Sequence, residues 1–181
     1  MNGKIINFVS KNQQFMQKIG ILSDTHACWD EKFAKYFSEC DEIWHAGDIG
    51  SEEVLTRLEA IKPVRAVYGN IDGHVIRSMC PEILRFKVED VEVLLTHIGG
   101  YPGRYEPKIR PVIYASPPQL FVCGHSHILK VMYDKSLRML CVNPGAAGWY
   151  GIHTVRTLIR LVIDGDKIRD LEVIELGTGG N

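Results

Sequence analysis

Hydrophobic and polar positions fall first into short apolar runs alternating with amphipathic stretches. Residues 18–23, KIGILS, have the length and character of a buried strand. In DEKFAKYFSEC, residues 30–40, Phe33, Tyr36, Phe37 and Cys40 share one helical face and Asp30 stands where an N-cap belongs. EIWHA, residues 42–46, predicts a second strand. Ser51 opens a predicted helix running through Ala60, with Glu52 and Glu53 at its positive end. VRAVY, residues 64–68, predicts a third strand. This βαβαβ order predicts parallel strands.

Further along, strands dominate. LRFKVE and VEVLLT (84–89 and 91–96) read as a pair, and LFVC (120–123) as another strand. PKIRPVIYA, residues 107–115, predicts a short helix with Pro107 near its start and Pro111 disturbing its interior. ILKVMYD and LRMLCVN (128–134 and 137–143) flank a polar turn. TVRTLIRLVI and KIRDLEVIEL form a hairpin around Asp164, Gly165 and Asp166. In that hairpin Arg156 and Arg160 lie only partly opposite Val155, Ile159 and Ile163, so the pattern does not fix the register. The whole predicts an α/β (α+β) fold of two packed sheets with helices outside. Residues 1–17 are polar and irregular and are expected to form an extension before a single domain over 18–181.

Composition narrows the class. The 181 residues are 45% hydrophobic and 24% charged, a profile of a globular chain with enough length for one substantial core. A formal net charge of −1 gives no global field for nucleic acid or membrane. The five cysteines form no CxxC pair and no signal segment is evident, so a reducing, cytoplasmic setting is expected. No window reaches the length and hydropathy of a membrane span.

Chemistry enters at the ends of the apolar runs. GILS is followed by Asp24 and His26, IWHA by Gly47-Asp48, AVY by Gly69-Asn70, VLLT by His97, and LFVC by Gly124, His125, Ser126 and His127. Ligands collect at the carboxyl ends of strands in open α/β sheets. Glycines 47, 69 and 124 are expected to let the backbone turn sharply there. Seven donors exceed the need of one tetrahedral ion and suit two ions sharing a carboxylate, at a typical spacing of roughly 3.5–4 Å. Four imidazoles, two carboxylates and an amide favour Mn, Fe, Zn or Ni over Mg or Ca.

SDTH, HAGD, YGN, LTH and CGHSH, spread from about residue 23 to 127, together resemble the calcineurin-like metallophosphoesterases. NPGAAG, residues 143–148, is similar to a turn found later in small members, and the short chain resembles the YfcE-type phosphodiesterase branch. The resemblance implies a four-layer αββα sandwich of two mixed sheets flanked by helices, with a dinuclear centre for which Mn²⁺ is the expected metal. It implies Asp24, His26, Asp48 and His127 around one ion, and Asp48, Asn70, His97 and His125 around the other. Asp48 and the attacking hydroxide would bridge, making Asp48, Asn70 and His97 the catalytic residues of a phosphodiesterase acting on a small phosphodiester. Two alternatives stand beside this: a non-catalytic scaffold resembling the retromer subunit that lost its ligands, and a phosphomonoesterase on the same metals. Strand edges and the extension would also allow a homodimer.

One departure bears on the chemistry. Many relatives carry a histidine after the asparagine; here the stretch is GNID, and Ile71 cannot donate a proton to a leaving group. That favours diesters with stabilised leaving groups. Asp72 or His74 is a substitute donor, with turn roles as the alternative. In GGYPGRYEPKIR, residues 99–110, a glycine- and proline-rich loop offers Arg104 to a phosphate oxygen and Tyr101 and Tyr105 as stacking surfaces. His45 reads as buried beside the site rather than as a ligand, His153 as a surface residue, Cys28 as an ordinary buried thiol, and Trp29, Trp44 and Trp149 as core or rim aromatics. Asn143 serves either the site or a turn.

Overall fold

The computed structural model describes residues 16–179 and begins with the predicted alternation. Strand β1 (Gln17–Leu22), helix α1 (Glu31–Phe37), β2 (Glu42–His45), α2 (Glu52–Glu59) and β3 (Val64–Ala66) form the βαβαβ unit, and β1, β2 and β3 are parallel neighbours. Asp30 caps α1 by accepting from the Lys32 N–H at 2.9 Å. The expected extension falls almost wholly outside the described residues. Gln17, assigned to it, already pairs with Ile163.

A short helix α3 (His74–Met79) follows, then β4 (Ile83–Val88) and β5 (Val91–Thr96), an antiparallel pair. The stretch after His97, expected to be loop throughout, carries a two-residue ladder of β6 (Gly100–Tyr101) and β7 (Arg104–Tyr105). Helix α4 (Arg110–Ala115) starts later than Pro107 suggests. Pro111 lies in its first turn, where a missing N–H costs nothing. Then come β8 (Leu120–Val122), β9 (Leu129–Asp134), β10 (Met139–Pro144), β11 (Val155–Asp164) and β12 (Lys167–Thr178).

The strands make two mixed five-stranded sheets, ordered β12-β11-β1-β2-β3 and β4-β5-β8-β10-β9. The final hairpin joins the first sheet, with β11 antiparallel to β1. Register shifts between Arg156 and Thr157 and between Arg160 and Val162 break the period of two, which is why alternation left both arginines ambiguous.

Side chains sort the layers. Leu22, Ile43 and Leu158 face Phe33, Phe37, Leu55 and Ile76, so α1, α2 and α3 cover the outside of the first sheet. Ile19, Ile21 and Trp44 meet Val93, Leu95, Leu120 and Val122 between the sheets. Leu94, Phe121 and Cys141 pack on Ile109 and Ile113 under α4. Neighbouring residues such as Ile21 and Leu22, or Val93 and Leu94, go to opposite faces, as the pleat demands. The result is the four-layer αββα sandwich, with three apolar interfaces holding two rigid sheet ends side by side.

Candidate metal centre

The seven predicted donors all follow the carboxyl ends of β1, β2, β3, β5 and β8, where the two sheets meet. Backbone bonds stitch these loops: Asp24 N–H to the Gly47 carbonyl at 3.0 Å, His26 N–H to Asp48 at 3.0 Å, and Gly124 N–H to His97 at 2.9 Å. Gly47 has φ +93° and packs against the His97 ring, so both its turn and its missing side chain are required. Gly69 and Gly124 do not take a positive φ; they supply space, since a Cβ would overlap Asp48 Oδ1 at the first and Ser23 Oγ at the second.

Two clusters result. Asp24, His26 and His127 form one, Asp48, His97 and His125 the other, and within each the ligand-type atoms lie within 4.8 Å of one another. Asp48 faces both: its Oδ2 is 3.8 Å from His26 Nε2 and its Oδ1 is 3.2 Å from His97 Nε2. Asn70 Oδ1 is 3.1 Å from His97 Nε2, joining the second cluster. Asp24, Asp48 and His97 are buried, His26 and His127 half-buried, and Asn70 and His125 exposed, so the set opens to solvent on one side.

The donor set fits a cation. His97 Nδ1 lies 2.7 Å from the Ala46 carbonyl and must carry a proton to donate to it. In the neutral form of the ring the Nε2 lone pair then faces oxygens of Asp48, Asn70 and, at 3.9 Å, Asp24. Asp24 Oδ1 is buried without a hydrogen-bond partner, and His26 Nε2 and His127 Nε2 face each other at 3.2 Å. Converging lone pairs of this kind are satisfied by protons or by metal, and a carbonyl fixing the far nitrogen of a ligating histidine is the usual support. The electrostatics carry the same tension. Burial opposes a charge on His97, but its contacts with Asp48 and Asp24 outweigh burial and raise its pKa. His26 is moved the other way by burial, against the pull of Asp48 and Asp24. Burial also works against the Asp48 carboxylate, yet His97 and the Ile71 N–H hold its pKa down.

Backbone strain concentrates here. Asp24, His26, Asp48, His125 and His127 all have positive φ, between 47° and 68°. Non-glycine residues enter that region at a cost, and a run of them at one place marks a functional site.

Three expectations change. Asp72 is no substrate contact or proton donor: it is buried, and its carboxylate accepts the N–H groups of Gly69, Ile49 and Gly50 at 2.7, 3.1 and 2.7 Å, tying the GDIG loop to the GNID loop. Tyr105 offers no stacking face; it is buried and its hydroxyl donates to Asp134 at 2.6 Å. His153 is not a free surface residue, because its Nε2–H donates to the Gly148 carbonyl and its ring packs edge-on to His127 at 5.3 Å. Arg104 is exposed at the rim of a cleft that reaches His125. Asn143 braces the GHSH loop, its amide donating to the Gly124 carbonyl at 2.7 Å and to Ser126 Oγ at 3.1 Å. Tyr150, which nothing in the pattern singled out, is 72% exposed with its ring 5.0 Å from His26. Cys28 is half-buried, and burial pushes its thiol up to about 11, away from reactivity.

Comparison with known proteins decides the family. Residues 17–166 match the calcineurin-like phosphoesterase superfamily domain. The chain belongs to this superfamily. It is 31% identical over 166 residues to a probable metallophosphoesterase of Methanothermobacter thermautotrophicus, covering 88% of this chain and 92% of that protein. A fold likeness extends to vacuolar protein sorting 29 from Cryptosporidium parvum, with TM-score 0.71, 17% identity, and coverage of 91% of this chain and all of the other. It extends also to a protein described as a novel archaeal phosphodiesterase, with TM-score 0.67, 22% identity, and coverage of 88% and 99%. The chain is thus a metallophosphoesterase-type hydrolase domain. Among its described residues no helix is long and apolar enough to cross a membrane.

Proposed function

We propose that the protein is a dinuclear metal-dependent phosphodiesterase acting on a small phosphodiester in the cytoplasm, with Mn²⁺ as its working metal. The observation that carries this reading is Asp48, whose two carboxylate oxygens face different clusters, as a shared ligand must. Asp24, His26, Asp48 and His127 would hold one cation, and Asp48, Asn70, His97 and His125 the other. A pair of divalent cations supplies a nucleophile from water at neutral pH and neutralises charge on a phosphate in displacement.

The chain's own groups do the remaining work. The Ala46 carbonyl orients His97, and the Ile71 N–H orients Asp48 at 3.1 Å. With Asn70 Oδ1 turned to His97, its amide N–H groups are left to donate to a phosphate oxygen. Ile71, 47% exposed beside Asp48, brings no proton to a departing oxygen. This favours diesters whose leaving groups need none and disfavours the phosphomonoesterase reading. The archaeal phosphodiesterase of the same fold supports the diester assignment, whereas retained ligand-type residues at all seven positions speak against the scaffold reading.

The test is hydrolysis of bis(4-nitrophenyl) phosphate with Mn²⁺, before and after chelation, alongside metal analysis. Two ions per chain, loss of activity on chelation, and folded but inactive Asp48→Ala and His97→Ala variants are expected. Full activity in either variant overturns the mechanism, and absence of measurable metal affinity would favour the scaffold.

A further inference from the structure

Two clefts open beside the candidate metal centre, one on each side of Ile98. The first, about 310 Å³, reaches His125, and the second, about 280 Å³, reaches Asn70 and His97. Ile98 and Glu106 are the residues that border both. Ile98 follows His97 directly, beyond the end of β5, and is 39% exposed, so core packing does not explain an apolar residue there.

The walls differ in chemistry. The first cleft is lined by Tyr101, Ile128 and Met132, with Lys130 Nζ 3.9 Å from the Tyr101 ring centre. The second is the more polar of the two, with Arg77, Lys108 and Glu82 set beside Tyr68, Ile83 and Ile109. Its Arg77 stacks on Tyr68 at 4.5 Å and donates to the carbonyls of Gly69, Asn70 and Asp72, which fixes the direction of the guanidinium; Lys108 stands nearby, paired with Glu82. Each cleft is near the lower limit for a ligand pocket, about 300 Å³, which suits one arm of a substrate rather than a whole diester.

The geometry points to two separate alcohol subsites for one asymmetric phosphodiester, with Ile98 as the partition between them. The apolar cleft takes an aromatic arm, such as an aryl group or nucleobase. The more polar cleft takes a hydroxylated or anionic arm, with Arg77 and Lys108 on its wall. This assignment rests on the phosphodiesterase reading and deepens it: a monoester fills one cleft, and only a diester fills both.

Methyl NMR of the full chain loaded with diamagnetic Zn²⁺ tests it, with Met132 reporting the first cleft, Ile83 the second and Ile98 both. Phenyl phosphate is expected to shift Met132 and Ile98 but not Ile83, whereas phenyl 2-carboxyethyl phosphate shifts all three. Kinetically, Met132→Trp is expected to raise KM for aryl diesters about tenfold, with a clearly smaller rise for dimethyl phosphate, whose small arm fills the cleft less. If the diester moves the same methyls as the monoester, or Met132→Trp raises KM for both diester types alike, the two-arm assignment fails while the phosphodiesterase reading stands. A wild type that hydrolyses no diester takes both down.

Discussion

Thr25 Oγ1 lies 2.9 Å from His45 Nε2, and the same hydroxyl donates to the Ile49 carbonyl at 2.9 Å. Its proton is thereby committed, so it accepts from His45 Nε2–H, while His45 Nδ1 accepts from the Gly47 N–H at 3.2 Å. A neutral imidazole therefore joins the loop after β1 to the loop after β2. Protonation would set a second ring N–H against Gly47. Burial, only partly offset by Asp72 and Asp24, pushes the pKa from 6.5 down to about 4.

The sign of the pH effect follows. Between about pH 6.5 and pH 4 the unfolded chain holds the proton that folded His45 refuses. The associated stability is complete above that window and declines as pH falls through it, by about 3 kcal/mol in all. Melting of metal-free wild type and His45→Gln across the window checks this. Wild type should lose more stability than the variant; equal pH slopes would exclude His45 as the titrating group.

The left-handed backbone of the ligands gives a second prediction. His125 is exposed and has φ 68°, so glycine there relieves strain at little loss of packing. His125→Gly is expected to melt above wild type in chelator, by about 1 kcal/mol, yet to gain less from added Mn²⁺. Calorimetry with and without chelator separates the two effects. A variant less stable than wild type in chelator contradicts the strain argument.

Asp72 should matter without touching substrate. Asp72→Ala leaves three backbone N–H groups of two loops without an acceptor, at a cost of about 3 kcal/mol or more. Because Asn70 sits on one of those loops, metal affinity is expected to drop about tenfold or more, as for other groups that orient ligands. Denaturant titration and metal competition measure the two quantities, and unchanged affinity would confine Asp72 to a stability role.

Ile71 offers a gain-of-function test. Ile71→His is expected to accelerate cleavage of phenyl esters about a hundredfold, the low end of general acid catalysis, while nitrophenyl esters change little. Equal acceleration of both would show that the new side chain acts by some route other than proton donation.

Much of the centre was legible because each donor directly follows an apolar run, so a one-dimensional pattern carried a three-dimensional edge. The same logic gave the opening parallel strands. It failed where placement depends on partners distant in the chain. Asp72 resembles any turn aspartate until Ile49 and Gly50 are brought to it, and Tyr105 resembles a loop tyrosine until Asp134 claims its hydroxyl. Tyr150 and His153 had no signal of their own. They reach His26 and His127 on a segment held by Arg156, which donates to the Ala147 carbonyl, pairs with Asp30 at 2.7 Å and stacks on Trp149. Arg156 itself was obscured by the bulge beside it.

Five side chains of the candidate metal centre, kept in an unfavourable backbone region, set a direction for change in lineages of this architecture. At the exposed corner, His125, exchange for glycine relaxes the backbone, whereas Asp24 and Asp48 also accept the N–H groups of His125 and Ile71 and have no such release. A side chain at such a corner persists only while what it binds repays the backbone it distorts.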